Sequence, residues 1–341
     1  MPTSRAFLYE LADAIYKLAP WRWLEETDLI AVHHPETNER FYLSLMGAAG
    51  NHTALAVYLG EESLHRFNLM QQEEELSPPL SEMDGLALVL ESRQLQVSFG
   101  PRGDLAPSDL SEIKKLGRKY RGENWPYFRS YRPGFAPAPI TSEETLLLQL
   151  AMEQFYVLLP TLAETSEIAV RNGPQGAEIL TRQFLQGQWK TSYTPHDMRN
   201  FSFPQPAPSE LLTAKIARLK PALKLECIFQ LMPTPVGPSA TNAVFPYLFL
   251  CVDRASEFIL GMHMLSTEEQ SHEALIASVP DRFLRMCDKI GAAPTEIHVS
   301  SHYAQALLQK TAAALKTPLK FKNRLPTADR ILMRAGRSIG F

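Results

Sequence analysis

The sequence has few cysteines, and their spacing excludes the common cysteine-based sites. The 341 residues include only Cys227, Cys251 and Cys287, and no two of them form a C-x-x-C motif. This excludes a zinc site built from cysteine pairs and a thioredoxin-like redox motif. Each cysteine lies in an apolar segment, LECIFQL, LFLCVDR or LRMCDKI. The pattern predicts three buried free thiols in a reducing compartment.

Long apolar runs are also scarce. The N-terminal segment carries Glu10, Asp13 and Lys17 and lacks the continuous apolar stretch of a signal peptide. No run reaches the roughly 18 apolar residues of a membrane span. The longest run, near AVFPYLFLCV, is short and contains Pro246. We therefore expect a cytoplasmic protein with no membrane partner.

The sequence signatures of several enzyme classes are missing. The chain contains no P-loop, no dinucleotide G-x-G-x-x-G, no H-E-x-x-H and no G-x-S-x-G motif. A formal net charge of -3 argues against a protein that binds polyanions over its whole surface. These absences predict no cofactor and no metal site, and they favour binding over catalysis.

The N-terminal part is predicted to be an α+β domain over residues 1–165. Apolar residues recur at helical spacing over 5–18, and the runs DLIAVHH, RFYLSLMG and TALAVYLG predict a β-meander. LALVLES and LQVSFG add two strand candidates. Thr141 and Glu144 form a capping box that opens a helix, which Pro160 is expected to end.

The remaining chain is predicted to hold a linker and an α/β domain. Residues 170–208 contain a hairpin about Gly187 and the proline-rich segment SFPQPAPS. Over 209–341 the strand, helix and turn patterns follow the order β-β-β-α-β-α-β. A capping box from Ser266 to Glu269 opens the first of these helices. This order predicts a mixed sheet with helical crossovers.

Two family resemblances accompany these patterns. They rest on the segments WL at 23–24, DLIAVHHPET, SLMG, LAVYLG, NWPYFRSYRPGF and TSEETLLL. Through them, residues about 5–160 resemble a bacterial domain family of unknown function. Residues about 170–330 resemble a second such family that accompanies the first. The resemblance implies a two-domain protein and brings no catalytic residues with it.

The element order over 223–322 resembles the RNase H-like fold of nucleases and integrases, and VDRASEFILG is similar to the first strand and turn of an integrase core. The resemblance implies two divalent metals held by one carboxylate on the first strand and one just after the fourth. Asp253 matches the first position, or Glu226 if LKLECIFQL is the first strand. The second position falls on Ser300 or Ser301. The resemblance therefore predicts a degenerate domain without the family's full chemistry.

The segment KKLGRKYRGENWPYFRSYRPG carries the best binding pattern in the chain. It interleaves cations with aromatic rings, and such a mixture can neutralise phosphates while it stacks bases. The residues predicted to contact a ligand are Arg118, Lys119, Trp125, Arg129 and Arg132. The alternative is structural, because these rings can pack under a long loop while the arginines cover them.

A metal-dependent reaction is the competing hypothesis. Asp253 and Glu269 could hold Mg²⁺ or Mn²⁺ for phosphoryl transfer. The structural alternative makes Asp253 the start of the turn DRAS and gives Glu269 a capping role. We therefore predict a non-enzymatic intracellular binding or regulatory protein, whose partner is nucleic acid or another protein. The alternative is a divalent-metal-dependent nuclease or phosphoryl-transfer enzyme that uses Asp253.

Overall fold

The structure, a computed structural model, describes residues 5–48, 50, 52–165, 169–174, 176–237, 242–268 and 270–339. The helices within these ranges are α1 (Arg5–Leu18), α2 (Gly60–Gln71), α3 (Glu82–Leu90), α4 (Pro107–Lys115), α5 (Ser142–Thr165), α6 (Glu210–Ile216), α7 (His272–Ile290), α8 (His302–Ala314) and α9 (Pro326–Ile339). The strands are β1 (Ile30–His33), β2 (Arg40–Met46), β3 (Thr53–Leu59), β4 (Gln94–Gly100), β5 (Trp125–Tyr131), β6 (Val170–Gly173), β7 (Gly176–Leu185), β8 (Gln188–Pro195), β9 (Pro221–Leu231), β10 (Tyr247–Asp253), β11 (Phe258–Leu265), β12 (Ala293–Val299) and β13 (Leu319–Phe321). The predicted mixture of α and β structure in two parts, each with its own sheet, is confirmed.

The chain packs into two compact units. Unit 1 comprises Met1–Gln71, Ser92–Arg132 and Pro137–Phe201, and unit 2 comprises Gln72–Glu91, Pro133–Ala136 and Ser202–Phe341. Each unit is therefore built from segments that are separated in the sequence. The predicted domain limits, 1–165, 170–208 and 209–341, stay a prediction.

An eight-stranded sheet forms the centre of unit 1. Its order is β5-β4-β3-β2-β1-β7-β6, and β8 pairs with β7. All neighbours are antiparallel except β1 and β7, which are parallel, with Ile30 opposite Leu180. The predicted hairpin joins β7 to β8 through Gln186 and Gly187, whose φ angles are 53° and 79°. Positive φ at both turn residues suits a two-residue hairpin, and glycine adopts it without strain.

Both faces of this sheet are covered. Alternate residues of each strand point to opposite faces, so Phe41 packs in the core under α1 and α5 while Tyr42 packs with α2. The first core is the larger and includes Leu8, Ile15 and Phe155. Burial on both faces explains why β2 and β3 are almost continuously apolar in sequence.

Helix α5 corrects two expectations. Its hydrogen bonds confirm the capping box, since the Glu144 N–H donates to Thr141 Oγ1 at 3.2 Å and the Thr141 N–H donates to Glu144 Oε2 at 2.7 Å. Pro160 lies inside the helix, however, and does not end it. Ser142–Glu164 is also long and apolar enough by composition to cross a membrane, which the search for unbroken apolar runs missed. Half of that stretch is buried, as in a core helix, so it is weak support for a span.

Unit 2 contains a five-stranded sheet in the order β11-β10-β9-β12-β13. The first three strands are antiparallel neighbours, β12 runs parallel to β9, and β13 runs parallel to β12. Helix α9 packs on one face against Ile228, Leu248, Leu250 and Val252. The RNase H-like character predicted for this domain stays a prediction.

Helix α3 replaces a predicted strand. The segment LALVLES lies in and just after α3, whose N-cap Ser81 accepts a hydrogen bond from the Asp84 N–H at 3.0 Å. The helix contacts β9 of the same unit. A short apolar run has no periodicity that separates a buried helix from a buried strand, so the strand prediction was wrong.

Candidate functional site

The cation-rich segment predicted from sequence borders an open cleft in unit 1. The cleft has a volume of about 770 Å³ and lies where α4 ends and the chain turns into β5. We call it the basic cleft. It is lined by Arg102, Pro107, Leu110, Ser111, Ile113, Lys114, Gly117, Arg118, Lys119, Tyr120, Arg121 and Trp125. Five of these described lining residues are cationic and none is acidic.

Local sequence explains how the cleft is shaped. Pro107 starts α4, where its missing N–H costs nothing, and the Asp109 carboxylate accepts the Ala106 N–H at 2.8 Å. Gly117 then leaves the helix with φ of 67°, which L-residues with side chains rarely adopt. The chain therefore turns away after Leu116 and presents the following cations beside the helix.

The aromatic wall of the cleft consists of Tyr120 and Trp125. Their ring centroids lie 5.8 Å apart at an interplanar angle of 52°. The Arg102 guanidinium lies 6.0 Å from the centroid of the Trp125 ring. Both rings pack against the core of unit 1 and remain partly accessible, so they are held in place and still offer surface to a ligand.

The cations of the cleft differ in how firmly they are engaged. Lys114, Lys119 and Arg121 are exposed, and none has an acidic partner within 4 Å among the described residues. Arg118, in contrast, forms hydrogen bonds with residues of α1. Its Nη1 donates to Asp13 Oδ2 at 2.7 Å, and its Nη2 donates to the Ala6 carbonyl at 3.0 Å.

The five predicted contact residues are divided by the fold. Arg118, Lys119 and Trp125 line the basic cleft together, whereas Arg129 and Arg132 do not line it. Arg129 donates to both oxygens of Asp109, and Arg132 is exposed just beyond the end of β5. Sequence analysis missed Arg102, which lies 23 positions before Trp125 and outside the cation-rich segment, so no local pattern pointed to it.

Asp253, the residue of the competing hypothesis, ends β10 and accepts hydrogen bonds from its own turn and from β9. Its Oδ1 accepts the Lys224 N–H at 2.9 Å, and its Oδ2 accepts the Ser256 N–H at 3.0 Å and the Ser256 hydroxyl at 2.6 Å. Burial acts to raise the pKa of this carboxyl, but these hydrogen bonds outweigh it, and the pKa lies below its usual value. Glu269 lies outside the described residues. Helix α7 begins at His272 with Ser271 as N-cap, so the helix starts later than the predicted capping box.

The other positions named by the RNase H-like resemblance also have structural partners. Glu226 Oε2 accepts the N–H groups of Thr327 and Ala328 at 2.9 and 2.8 Å, at the start of α9. Ser301 is the N-cap of α8, and its hydroxyl accepts the Ala304 N–H at 3.0 Å. No group of three ligating side chains in the described chain includes Asp253 or Glu226.

One group of side chains in the described residues could hold a metal ion. It consists of Glu61, His65 and Asp197, all in unit 1. Sequence analysis missed this group. The four-residue spacing of Glu61 and His65, which places two side chains on one face of a helix, was the only signal in the sequence, because Asp197 is more than 130 positions further on.

Comparison with known families identifies two regions of the chain. The family model described as Domain of unknown function (DUF7309) matches residues 6–182. A second, described as Domain of unknown function (DUF6930), matches residues 213–334. The predicted resemblance to two accompanying domain families of unknown function is thus confirmed. No curated protein matches the chain.

Proposed function

We propose, from the premise that this chain belongs to the DUF7309 family, that it is a binding protein whose basic cleft holds a single-stranded nucleic acid. The observation that carries the proposal is the composition of the cleft: five cations and two aromatic rings line it, and none of its described lining residues is acidic. The proposal assigns no reaction to the chain.

The charge of the cleft supports a phosphate-bearing ligand. Lys114, Lys119 and Arg121 are exposed, and no carboxylate of the described residues pairs with them, so no ion pair has to break before they bind. Each phosphate that such a cation neutralises releases counterions, and this release favours binding at low salt. Because the overall net charge is -3, attraction of a polyanion depends on the local charge of the cleft rather than on the charge of the whole molecule.

The aromatic wall supports unpaired bases. Bases of a duplex are stacked on one another, whereas those of a single strand are free to stack on protein rings. Trp125 and Tyr120 are anchored in the core of unit 1, so little conformational entropy is lost when a base stacks on them. The cleft volume of about 770 Å³ lies in the range of small-ligand pockets and suits one or a few nucleotides.

Unit 2 fits a non-catalytic role in the same proposal. We infer that its sheet is RNase H-like, and the antiparallel β9, β10 and β11 followed by parallel β12 and β13 support this. The carboxylates at the expected positions have structural partners, since Glu226 caps α9 and Asp253 closes a turn. A cytoplasmic location, where single-stranded RNA is abundant, belongs to the proposal as well.

The test is fluorescence anisotropy with labelled single-stranded oligonucleotides at about 50 and 200 mM salt. We expect micromolar affinity that weakens with salt, and weaker binding of a duplex of the same sequence. The double variant Lys119→Glu with Arg121→Glu should abolish binding. Lys190→Glu, an equally exposed charge reversal on β8, should leave it unchanged. Absence of salt-dependent binding by the unmodified protein would overturn the proposal.

A further inference from the structure

We propose that Glu61, His65 and Asp197 form a binding site for a divalent transition-metal ion, with Zn²⁺ as the reference ion. Glu61 and His65 lie four residues apart on α2, so both side chains project from the same face of the helix. Asp197, two residues after β8, brings the third ligand to them. One ligating atom from each residue lies within 4.8 Å of the other two, and His65 Nε2 is 2.9 Å from Asp197 Oδ2.

The donor set selects the class of metal. One imidazole nitrogen and two carboxylate oxygens suit Zn²⁺ and neighbouring first-row ions, which bind such atoms at about 2.0–2.2 Å. Ca²⁺ and Mg²⁺ prefer sites made of oxygen alone, so the histidine disfavours them. Three protein ligands leave a fourth tetrahedral position for water or an exogenous ligand.

Outer partners orient two of the three ligands. The Tyr42 hydroxyl donates to Glu61 Oε1 at 2.7 Å, which leaves Oε2 for the ion. Arg199 Nε donates to both oxygens of Asp197 at 3.0 and 2.9 Å, its Nη2 donates to Oδ2 at 2.5 Å, and its backbone N–H donates to Oδ1 at 3.0 Å. The Arg199 side chain is 77% exposed, so an ion can displace it from one oxygen while the other stays held. Such outer hydrogen bonds commonly fix metal-binding carboxylates.

The backbone holds Asp197 beside α2. Asn68 Nδ2 donates to the carbonyl oxygens of Asp197 and Arg199 at 3.0 and 2.9 Å. The Phe201 N–H donates to the His65 carbonyl at 2.8 Å. The third ligand is therefore positioned by contacts that do not involve the ligating atoms, which is the pre-organisation that a metal site requires.

An ion can reach the group from solvent. Glu61 and Asp197 line a cavity of about 530 Å³, together with Arg40 and His196. The Nδ1 atom of His196 is buried without a hydrogen-bond partner among the described residues. The group is therefore open to solvent on the side of this cavity.

The experiment is isothermal titration of the metal-free full chain with ZnCl₂, without nucleic acid. We expect one ion per chain, and at least a tenfold loss of affinity in His65→Ala and in Glu61→Gln. Glu61→Gln keeps an oxygen for Tyr42, so it tests the charge with the fold preserved, as circular dichroism would verify. His263→Ala, a histidine of unit 2, is the matched control and should bind as the unmodified chain does.

Cobalt distinguishes this site from the buried cysteines. Co²⁺ bound by nitrogen and oxygen gives visible d–d bands without the near-ultraviolet band of a thiolate ligand, and His65→Ala should remove those bands. No Zn²⁺ binding at micromolar protein would overturn the proposal. So would unchanged binding in both ligand variants, or a thiolate band in the cobalt spectrum. The double variant Lys119→Glu with Arg121→Glu should still bind Zn²⁺. The metal-site proposal and the nucleic-acid proposal can therefore be rejected independently of each other.

Discussion

The Arg129 guanidinium is paired with both carboxylate oxygens of Asp109. Its Nη1 and Nη2 lie 3.0 and 2.6 Å from Oδ1 and Oδ2, and the two side chains are only 13% and 8% exposed. This bidentate pair ties β5 to the start of α4 and so supports one side of the basic cleft. Arg129, which the sequence predicted to contact a ligand, is thus paired with Asp109 of its own unit.

The pair predicts a large loss of stability when only one partner is removed. Arg129→Ala leaves the Asp109 charge buried and unpaired, which should lower the free energy of unfolding by about 3–5 kcal/mol. Arg121→Ala, an exposed cation of the same segment, should change it by less than about 0.5 kcal/mol. Urea unfolding measures both. Equal stabilities for the two variants would show that the pair contributes little.

Trp125 and Lys119 should affect nucleic-acid binding in different ways. Trp125→Ala removes a stacking surface and should cost about 1–3 kcal/mol of binding free energy with little change in salt dependence. Lys119→Ala removes one phosphate contact and should reduce the slope of log affinity against log salt by about one. Anisotropy titrations over several salt concentrations separate the two effects. A lower salt slope in Trp125→Ala would contradict stacking as its role.

The lowered pKa of the Asp253 carboxyl predicts that this residue contributes to the stability of the fold in a pH-dependent way. The folded pKa of its carboxyl lies below the value of about 3.9 expected in the unfolded chain, so the stabilisation is present above that value. It is lost as pH falls through the folded pKa. Asp253→Asn should therefore cost roughly 1–2 kcal/mol at pH 7 and progressively less below about pH 4. Urea unfolding from pH 3 to 7 measures this difference.

The same variant tests the competing enzyme hypothesis. Since no group of three ligating side chains among the described residues includes Asp253, we expect no Mg²⁺- or Mn²⁺-dependent cleavage of nucleic acid by the unmodified chain. Metal-dependent cleavage that disappears in Asp253→Asn would establish the alternative function instead.

Glu226 should hold α9 on its sheet. Its buried carboxylate is the acceptor for the Thr327 and Ala328 N–H groups, so Glu226→Ala leaves both donors without this partner. We expect a loss of about 1–3 kcal/mol and faster tryptic cleavage after Arg330. Glu226→Gln keeps an acceptor oxygen and should show a smaller effect. Unchanged proteolysis in Glu226→Ala would argue that α9 is held by its apolar contacts alone.

The three cysteines should be unreactive in the folded protein. All are buried and free, and burial raises the pKa of Cys287 to about 12 and that of Cys251 well above its ordinary value. Since the thiolate is the reactive form, a disulfide reagent at pH 8 should label the thiols only after unfolding. Rapid labelling of even one thiol under native conditions would contradict this burial.

Local chemistry explains which elements could be predicted. The Thr141 capping box and the Gly187 hairpin were identified from sequence because each depends on residues a few positions apart. The strand prediction for LALVLES was wrong because a short apolar run fits a buried helix as well as a buried strand. The prediction that Pro160 ends the helix was wrong because the packing of α5 outweighs the preference of proline to end a helix.

The sequence by itself determined the mixture of α and β structure, the burial of the cysteines and the segment that carries the cations and rings. Only the tertiary structure decided which of those cations line the basic cleft. Arg129 pairs with Asp109 and does not line the cleft, whereas Arg102 lines it from a different segment of the sequence. Asp197 contacts His65 although the two residues are far apart in the sequence. The physical reason is that helix caps and turns depend on neighbours in sequence, whereas charge pairing and ligand geometry depend on contacts that exist only after the sheet has formed.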